Sequence, residues 1–313
     1  MPLVAALLAC TSFLLEDGGR ALVGKSYDWD MGQGALLYNQ AGAQRWALQL
    51  NPDDQPAHWT ARHASLTFNQ YGRGLPNGGI NDAGLVVEAL WLDESELPAR
   101  DLRPSVNELE WIQVQLDNYA TVQDVMDHAQ ELRVSLVHGK VHYFACDRTR
   151  TCASFEHIHG QLVVTPGPRV LANHSQARAS AWAAKHAGQP RGAGSLQRYT
   201  RALRDVRSPP PGEAVAAAFR ILDDVRAPRT QWNIVYDLDQ LKVHFRTRAE
   251  PAIRTVSLEQ GVACAGADLA DPRAQLKAFG EADNRALLAA SLHGLPLPPG
   301  TLERVAAHES CSR

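Results

Sequence analysis

The chain has 313 residues, 45% hydrophobic and 21% charged, with a formal net charge of −3. That length and apolar content can fill one large core or two ordinary ones. The small negative charge gives no electrostatic basis for binding nucleic acid or an anionic membrane surface, so a small neutral or weakly charged molecule is the expected partner.

The first nine residues, "MPLVAALLA", are apolar and carry no Lys or Arg. The run sits at the short end of the roughly 7–15-residue core of a secretion signal. Residues 1–9 therefore read as a clipped signal peptide or a short propeptide, and 10–313 as a single domain. No later segment comes near the ~18 consecutive apolar residues of a membrane span. The mature protein is expected to be soluble and free of the membrane, in a periplasm or secreted.

From Cys10 to about residue 95, short β-branched and aromatic runs ("SFLLED", "ALVGKSYDW", "RWALQL", "ASLTFNQYG", "GLVVEALWL") alternate with Gly, Asn and Asp turn signals. Sequential strands are expected there, not alternating βαβ units. "SVNELEWIQVQLDNYA" then predicts a helix capped at Ser105, and "TVQDVMDHAQEL" a second helix with Thr121 as its cap and Asp124 three residues on. Strands return at "KVHYFAC", "CASFEHI", "QLVVTPG" and "RVLANHS". Helices follow near 176–187, over "GSLQRYTRALRDV" and over "PGEAVAAAFRILDDV", and "TQWNIVYDLDQLKVHFRT" predicts a hairpin. Beyond about residue 256 the chain reads as helical or irregular, with "GLPLPPGT" a loop. Blocks of strands and helices in this order imply one α+β domain with stacked sheets between helical layers.

Five cysteines are present: Cys10, Cys146, Cys152, Cys264 and Cys311. The last four can form two disulfides in an exported protein. In "VHYFACDRTRTCASFEH", Cys146 and Cys152 either face each other across a hairpin as a disulfide or remain two thiols in a sheet. Cys10 stands apart. Leu7-Leu8-Ala9-Cys10 loosely matches a lipoprotein processing site, which would make the chain a lipid-anchored binding protein. A lipidated cysteine is followed by a flexible polar tether, whereas "TSFLLED" is apolar and β-prone. A cysteine freed at an N-terminus has another use. Its α-amine, of pKa about 7.7–8, lies beside a thiol of about 8.5, so the amine can take the thiol proton and the thiolate can attack a carbonyl.

Such a nucleophile needs a carboxylate for its ammonium, a cation near sulfur and donors for an oxyanion. "GKSYDWD" offers Lys25 and Asp28. Period-2 alternation puts Ser26, Asp28 and Asp30 on one face of a strand and Lys25, Tyr27 and Trp29 on the other. Gly78 and Gly79 before Asn81 imply a tight turn, either an ordinary one or one presenting backbone N–H groups. Asn173 in "VLANHS" is a side-chain donor or a turn residue.

Cys10-Thr11-Ser12-Phe13, "GKSYDWD", "GGINDAGL", "LANHS", "QRYTRA" and "TQWNIVYDLDQLKVHFRT", in that order, resemble the choloylglycine hydrolase and penicillin V acylase family of linear-amide hydrolases, within the N-terminal nucleophile superfamily. The likeness runs from Cys10 to about Thr247. It implies a four-layer αββα sandwich and a cysteine amidase without metal or organic cofactor, acting on a small-molecule amide, with a homo-oligomer (dimer or tetramer) as the expected assembly. It implies Cys10 as the nucleophile exposed by removal of the leader, and Asp28 as the holder of its α-amine. The Asn81 backbone N–H and Asn173 side chain are implied as oxyanion donors, and Arg198, with Arg201 as rival, as the supporting arginine. Lys25 stands where the family has arginine, which keeps the charge but loses the planar fork. Trp29 and Trp91 resemble pocket aromatics of the Gram-negative branch and suit an apolar acyl chain or aryl group. Penicillin V and N-acyl homoserine lactones are the expected substrate types, with conjugated bile salts as the alternative.

Overall fold

A computed structural model describes residues 9–49, 53–135, 139–186 and 191–291. The leader before Ala9 and the "GLPLPPGT" loop lie outside the described residues. The strands in chain order are β1 (Thr11–Asp17), β2 (Arg20–Asp28), β3 (Ala35–Asn39), β4 (Gln44–Trp46), β5 (His58–Thr60), β6 (Ser65–Asn69), β7 (Pro76–Asn81), β8 (Val86–Trp91), β9 (Ser105–Asn107), β10 (Arg133–Ser135), β11 (Val141–Cys146), β12 (Cys152–Ile158), β13 (Gln161–Pro166), β14 (Val170–Leu171), β15 (Thr230–Asp237), β16 (Lys242–Thr247), β17 (Arg254–Ser257), β18 (Ala265–Asp268) and β19 (Lys277–Ala278). The helices are α1 (Glu110–Asn118), α2 (Val122–His128), α3 (Gln176–His186), α4 (Ser195–Arg207), α5 (Ala214–Asp224) and α6 (Glu281–Ser291).

Two antiparallel sheets dominate. One has the order β14-β1-β2-β15-β16-β17, the other β13-β12-β11-β8-β7-β6-β3-β18-β19. Their facing surfaces share one apolar core that includes Leu14, Val23, Ile234 and Phe245 from the first sheet and Leu66, Phe68, Ile80 and Phe144 from the second. Alternate residues of the first sheet, Phe13, Leu15 and Leu22, face outward and are covered by Ala202, Phe219 and Leu222 of α4 and α5. On the far side Val87, Tyr143 and Phe155 are covered by Trp111, Ile112 and Leu116 of α1 and Val122 and Val125 of α2. The result is the expected αββα stack, each sheet apolar on both faces because each face meets a layer.

The Thr121 cap forms as a full capping box with Asp124. Other expectations need correction. Ser105 does not cap a helix: it belongs to β9, which pairs in parallel with β10, and α1 starts later, where the Asn107 side chain accepts from the Leu109 and Glu110 N–H groups at 2.9 and 2.8 Å. Gly78 and Gly79 lie inside β7, not in a turn. The segment after residue 256 supplies two strands as well as a helix, and β18 pairs with β3 in the larger sheet. Cys146 and Cys152 are a registered pair between β11 and β12 and are joined as a disulfide, and Cys264 is disulfide-bonded as well. Among the described residues no helix is long and apolar enough to cross a membrane.

Gly24 shows how tightly the central strands are covered. It faces Phe13 across the β1–β2 ladder, and a Cβ at residue 24 would lie 2.2 Å from the ring. Gly24→Ala is therefore expected to destabilise the fold by about 1–3 kcal/mol through forced displacement of a fully buried ring, read as a lower midpoint in urea unfolding.

Candidate active site

Cys10 immediately precedes β1, which lies between β14 and β2 in the six-stranded sheet. It is 4% exposed and belongs to the core between the sheets. The Asp28 backbone N–H donates to the sulfur. Burial pushes the thiol pKa up, and the nearby Lys25 charge is the strongest influence pulling it down, with Arg198 acting the same way.

Asp28 ends β2 and is fully buried. Its Oδ1 accepts from the Ser26 hydroxyl at 3.0 Å and from the Thr230 hydroxyl. Its Oδ2, also buried, has no hydrogen-bond donor among the described residues. Burial raises the carboxyl pKa to about 6 against the opposing pull of Arg198, the two hydroxyls and Lys25. In this structure Cys10 follows Ala9, so its nitrogen is a peptide amide and not an amine.

Arg198 binds the site together from α4. Its Nη1 donates to the Cys10 carbonyl at 2.7 Å and to Thr11 Oγ1 at 2.5 Å, and its Nη2 donates to Asn173 Oδ1 at 2.7 Å. Arg201, one turn on, instead reaches the Gly192 and Asp224 carbonyls. The helical register therefore selects Arg198. Asn173 follows β14; its backbone N–H donates to Ser195 Oγ at 2.8 Å and its Nδ2 to the Trp91 carbonyl at 2.9 Å. With Oδ1 held by Arg198, the carboxamide orientation is fixed, and Nδ2 keeps a second hydrogen for another acceptor. The segment carrying Asn173 is tied from below. His142 Nε2 donates to the Ala172 carbonyl at 2.7 Å, its Nδ1 faces Glu156 Oε1 at 2.7 Å, and Glu156 accepts from the Gln176 N–H at the start of α3.

Asn81 does not join this group. Its backbone N–H is spent on the Leu85 carbonyl at 3.0 Å, and its side chain donates to the Leu116 and Tyr119 carbonyls, both at 2.8 Å, while accepting from Leu85 N–H. It builds the β7–β8 turn and anchors α1 to it. The turn lies at the start of β8, whereas Asn173 touches the other end of that strand at Trp91. The structure therefore does not bring Asn81 to Cys10 as an oxyanion donor, contrary to expectation.

Lys25 points into the core between the sheets, as the alternation required. Its Nζ donates to the Ala89 carbonyl and lies 3.2 Å from Glu88 Oε2, and both side chains are almost wholly buried. Tyr236 donates to the other Glu88 oxygen at 2.5 Å. Glu88 went unmarked in the sequence, although a lone carboxylate in the apolar run "GLVVEALWL" was the available signal. Gly78 is its counterpart: paired with Glu88 across β7 and β8, it leaves the space that the carboxyl occupies, since a Cβ there would lie 2.2 Å from it.

Trp29 and Trp91 are brought together, both half-buried, with ring centroids 5.9 Å apart. Tyr27 stacks between Trp29 and Trp232 at 6.5 and 4.2 Å. These rings form an apolar wall beside Asp28. A cavity of about 710 Å³, lined by Gly32, Gln33 and Gln231 among others, includes none of the predicted site residues.

The comparisons with known proteins bear on the fold. The structure superposes on penicillin V acylase from Agrobacterium tumefaciens with a TM-score of 0.70, at 23% identity over 80% of this chain and 86% of that one. It superposes on a Cys-to-Ala variant of conjugated bile acid hydrolase from Clostridium perfringens with a TM-score of 0.69, at 16% identity over 86% and 96% of the two chains. The fold is that of the N-terminal nucleophile hydrolases. In sequence the chain is 24% identical to penicillin V acylase from Pectobacterium atrosepticum, across 82% of each protein. No family model matches the chain. The resemblance carried by the sequence motifs, to the choloylglycine hydrolase and penicillin V acylase family of N-terminal nucleophile hydrolases, is borne out.

Asp28 gives a test in the unprocessed chain. Its carboxyl holds a proton up to about pH 6 when folded but loses it near pH 3.8 when unfolded, so its contribution to stability falls as pH rises between those values. Asp28→Asn keeps the Oδ1 acceptor and removes the charge. In protein that retains Ala9, it is expected to gain up to about 3 kcal/mol over the parent at pH 7 and nothing below pH 4, measured by urea unfolding at both.

Proposed function

We infer that this protein is a cysteine N-terminal nucleophile amidase that hydrolyses the C–N bond of linear amides. The observation that carries the reading is the double reach of Arg198, which fixes the carbonyl of Cys10 and the carboxamide of Asn173 with one guanidinium. This supports reading Cys10 as the nucleophile and Asn173 as the oriented amide donor, with Asp28, whose Oδ2 is unused, as their carboxylate companion.

Cleavage of the Ala9–Cys10 bond converts the Cys10 amide into an α-amine. The open Oδ2 of Asp28 is the acceptor that the resulting ammonium needs. The amine takes the thiol proton, and the thiolate, favoured by Lys25 and Arg198, attacks the substrate carbonyl carbon. The tetrahedral oxyanion is held by the free N–H of Asn173. The protonated amine then gives its proton to the leaving nitrogen as the C–N bond breaks, and a thioester remains. Water, deprotonated by the same amine, hydrolyses the thioester and restores the thiol.

Trp29 and Trp91 favour an apolar acyl group on the substrate, and we assign the protein to the penicillin V and N-acyl homoserine lactone type of acylase. Export to a periplasm or beyond belongs to this reading and is supported by the bonded Cys146, Cys152 and Cys264, which need an oxidising compartment.

Intact mass of purified protein should show a chain beginning at Cys10. Full turnover by protein that keeps the Ala9–Cys10 bond would sink the mechanism. Cys10→Ala is expected to abolish hydrolysis across a panel of penicillin V, long-chain acyl homoserine lactones and glycocholate, with the first two the preferred substrates of the parent. Asn173→Ala should lower kcat by about 10²–10³ while changing KM much less, the signature of a donor used in the transition state.

A further inference from the structure

We propose that Glu88 is a positioning residue whose carboxylate is the counter-charge that holds the buried Lys25 ammonium in place near Cys10, so that the lysine can serve the thiolate. The proposal rests on the reading of Cys10 as nucleophile and extends it to a residue outside the motifs that carried the resemblance.

Four observations point the same way. Lys25 and Glu88 are 3.2 Å apart, with side-chain exposures of 1% and 2%; burial pushes the Glu88 carboxyl pKa up, and the Lys25 charge is the first influence drawing it back down. Glu88 is fixed from both sides, by Lys25 on Oε2 and by Tyr236 on Oε1. The larger sheet is shaped around its carboxyl, because the opposing Gly78 supplies the missing volume. Lys25 is also the strongest of the charges that favour the Cys10 thiolate.

The pairing answers a chemical difference between lysine and arginine. A guanidinium stays protonated wherever it is placed, but a buried ammonium without a counter-charge gives up its proton. A lysine in the arginine position therefore works as a cation only if an anion accompanies it into the core. The other groups facing this region do not fill that role. Asp28 feels the Lys25 charge, but less than that of Arg198, and its hydrogen bonds come from Ser26 and Thr230, not from Lys25. Tyr27, Tyr71 and Tyr236 are kept as neutral phenols by burial. Arg198 is a second cation and adds repulsion to Lys25.

The test uses the mature enzyme. Cys10 is titrated by its rate of alkylation with iodoacetamide, mapped by mass, alongside kcat/KM against pH. Glu88→Gln is expected to raise the apparent thiol pKa by about one unit or more and to move the acid limb of the activity profile with it. The double variant Lys25→Arg/Glu88→Gln should bring both back toward the parent, because arginine needs no counter-ion. Tyr236→Phe, which removes one hydroxyl, should shift both in the same direction by less. An unmoved or lowered thiol pKa in Glu88→Gln, or a double variant no better than Glu88→Gln alone, overturns the proposal. If Glu88→Gln cannot be purified folded, an unmoved titration in Tyr236→Phe does so. Turnover surviving Cys10→Ala would instead overturn the nucleophile reading, whereas Cys10-dependent turnover with an unmoved titration overturns only the role of Glu88.

Discussion

The structure around Cys10 depends on keeping ionisable groups where there is no water. Cys10, Lys25, Asp28, Glu88 and Arg198 are all at most 4% exposed and lie within or against the layer between the two sheets. Each buried charge costs several kcal/mol unless a partner or a set of hydrogen bonds offsets it. The offsets are visible one by one: Arg198 is met by three carbonyl-type acceptors and a hydroxyl, Asp28 Oδ1 by two hydroxyls, and Lys25 by Glu88 and a backbone carbonyl. Much of the local sequence choice follows from this, including a glycine where Glu88 lies and a threonine at 230 where β15 shifts register beside Asp28.

The sandwich architecture makes this possible because it gives the site two rigid walls. β1 and β2 deliver Cys10, Lys25 and Asp28 from one sheet, and β8 delivers Glu88, Ala89 and Trp91 from the other. Arg198 and Asn173 close the end from α4 and the segment after β14. A side chain held on strands and braced by buried hydrogen bonds loses little freedom on binding a substrate, which is the preorganisation that acyl transfer requires.

Strand alternation and the Thr121 cap were legible because they are local, whereas the expected Ser105 cap is taken into β9 by pairing with β10. The β1–β2 run, the Thr121 box and the split of Lys25 from Asp28 onto opposite faces follow from periods of two and from cap chemistry. Arg198 was legible only through a motif, and the structure then chose it over Arg201 by one helical turn. Asn81 and the Gly78–Gly79 pair were misread for one reason. Gly-Gly-x-Asn-Asp is turn chemistry, and the turn does exist, but it begins at Asn81; the glycines lie in the strand, Gly78 because the Glu88 carboxyl of the neighbouring strand needs its space and Gly79 because the Leu66 carbonyl and Thr67 methyl crowd it. That requirement arises between strands ten residues apart in sequence and has no local signature. β18 was hidden likewise, since "AGAD" has no strand propensity and is recruited by pairing with β3.

Asp28 connects the folded chain to its proposed maturation. While Ala9 precedes it, the Cys10 nitrogen carries no charge, and the Asp28 carboxyl sits buried with one oxygen unused and a raised pKa. The field of Arg198 and two hydroxyls do not cancel the cost of desolvating it. An ammonium created next to that oxygen would supply both a positive charge and N–H donors, which are what the carboxyl lacks. Release of the leader would therefore relieve a penalty already built into the fold, so the same unused oxygen that makes Asp28 costly before cleavage would hold the new terminus after it. An aspartate in a polar, solvated position could orient an amine equally well, but it would gain nothing from the cleavage and would leave the thiol beside water. Burial thus supplies two things together, a thermodynamic bias toward the processed terminus and a dry setting in which the Lys25 charge acts on the thiolate at short range with little screening.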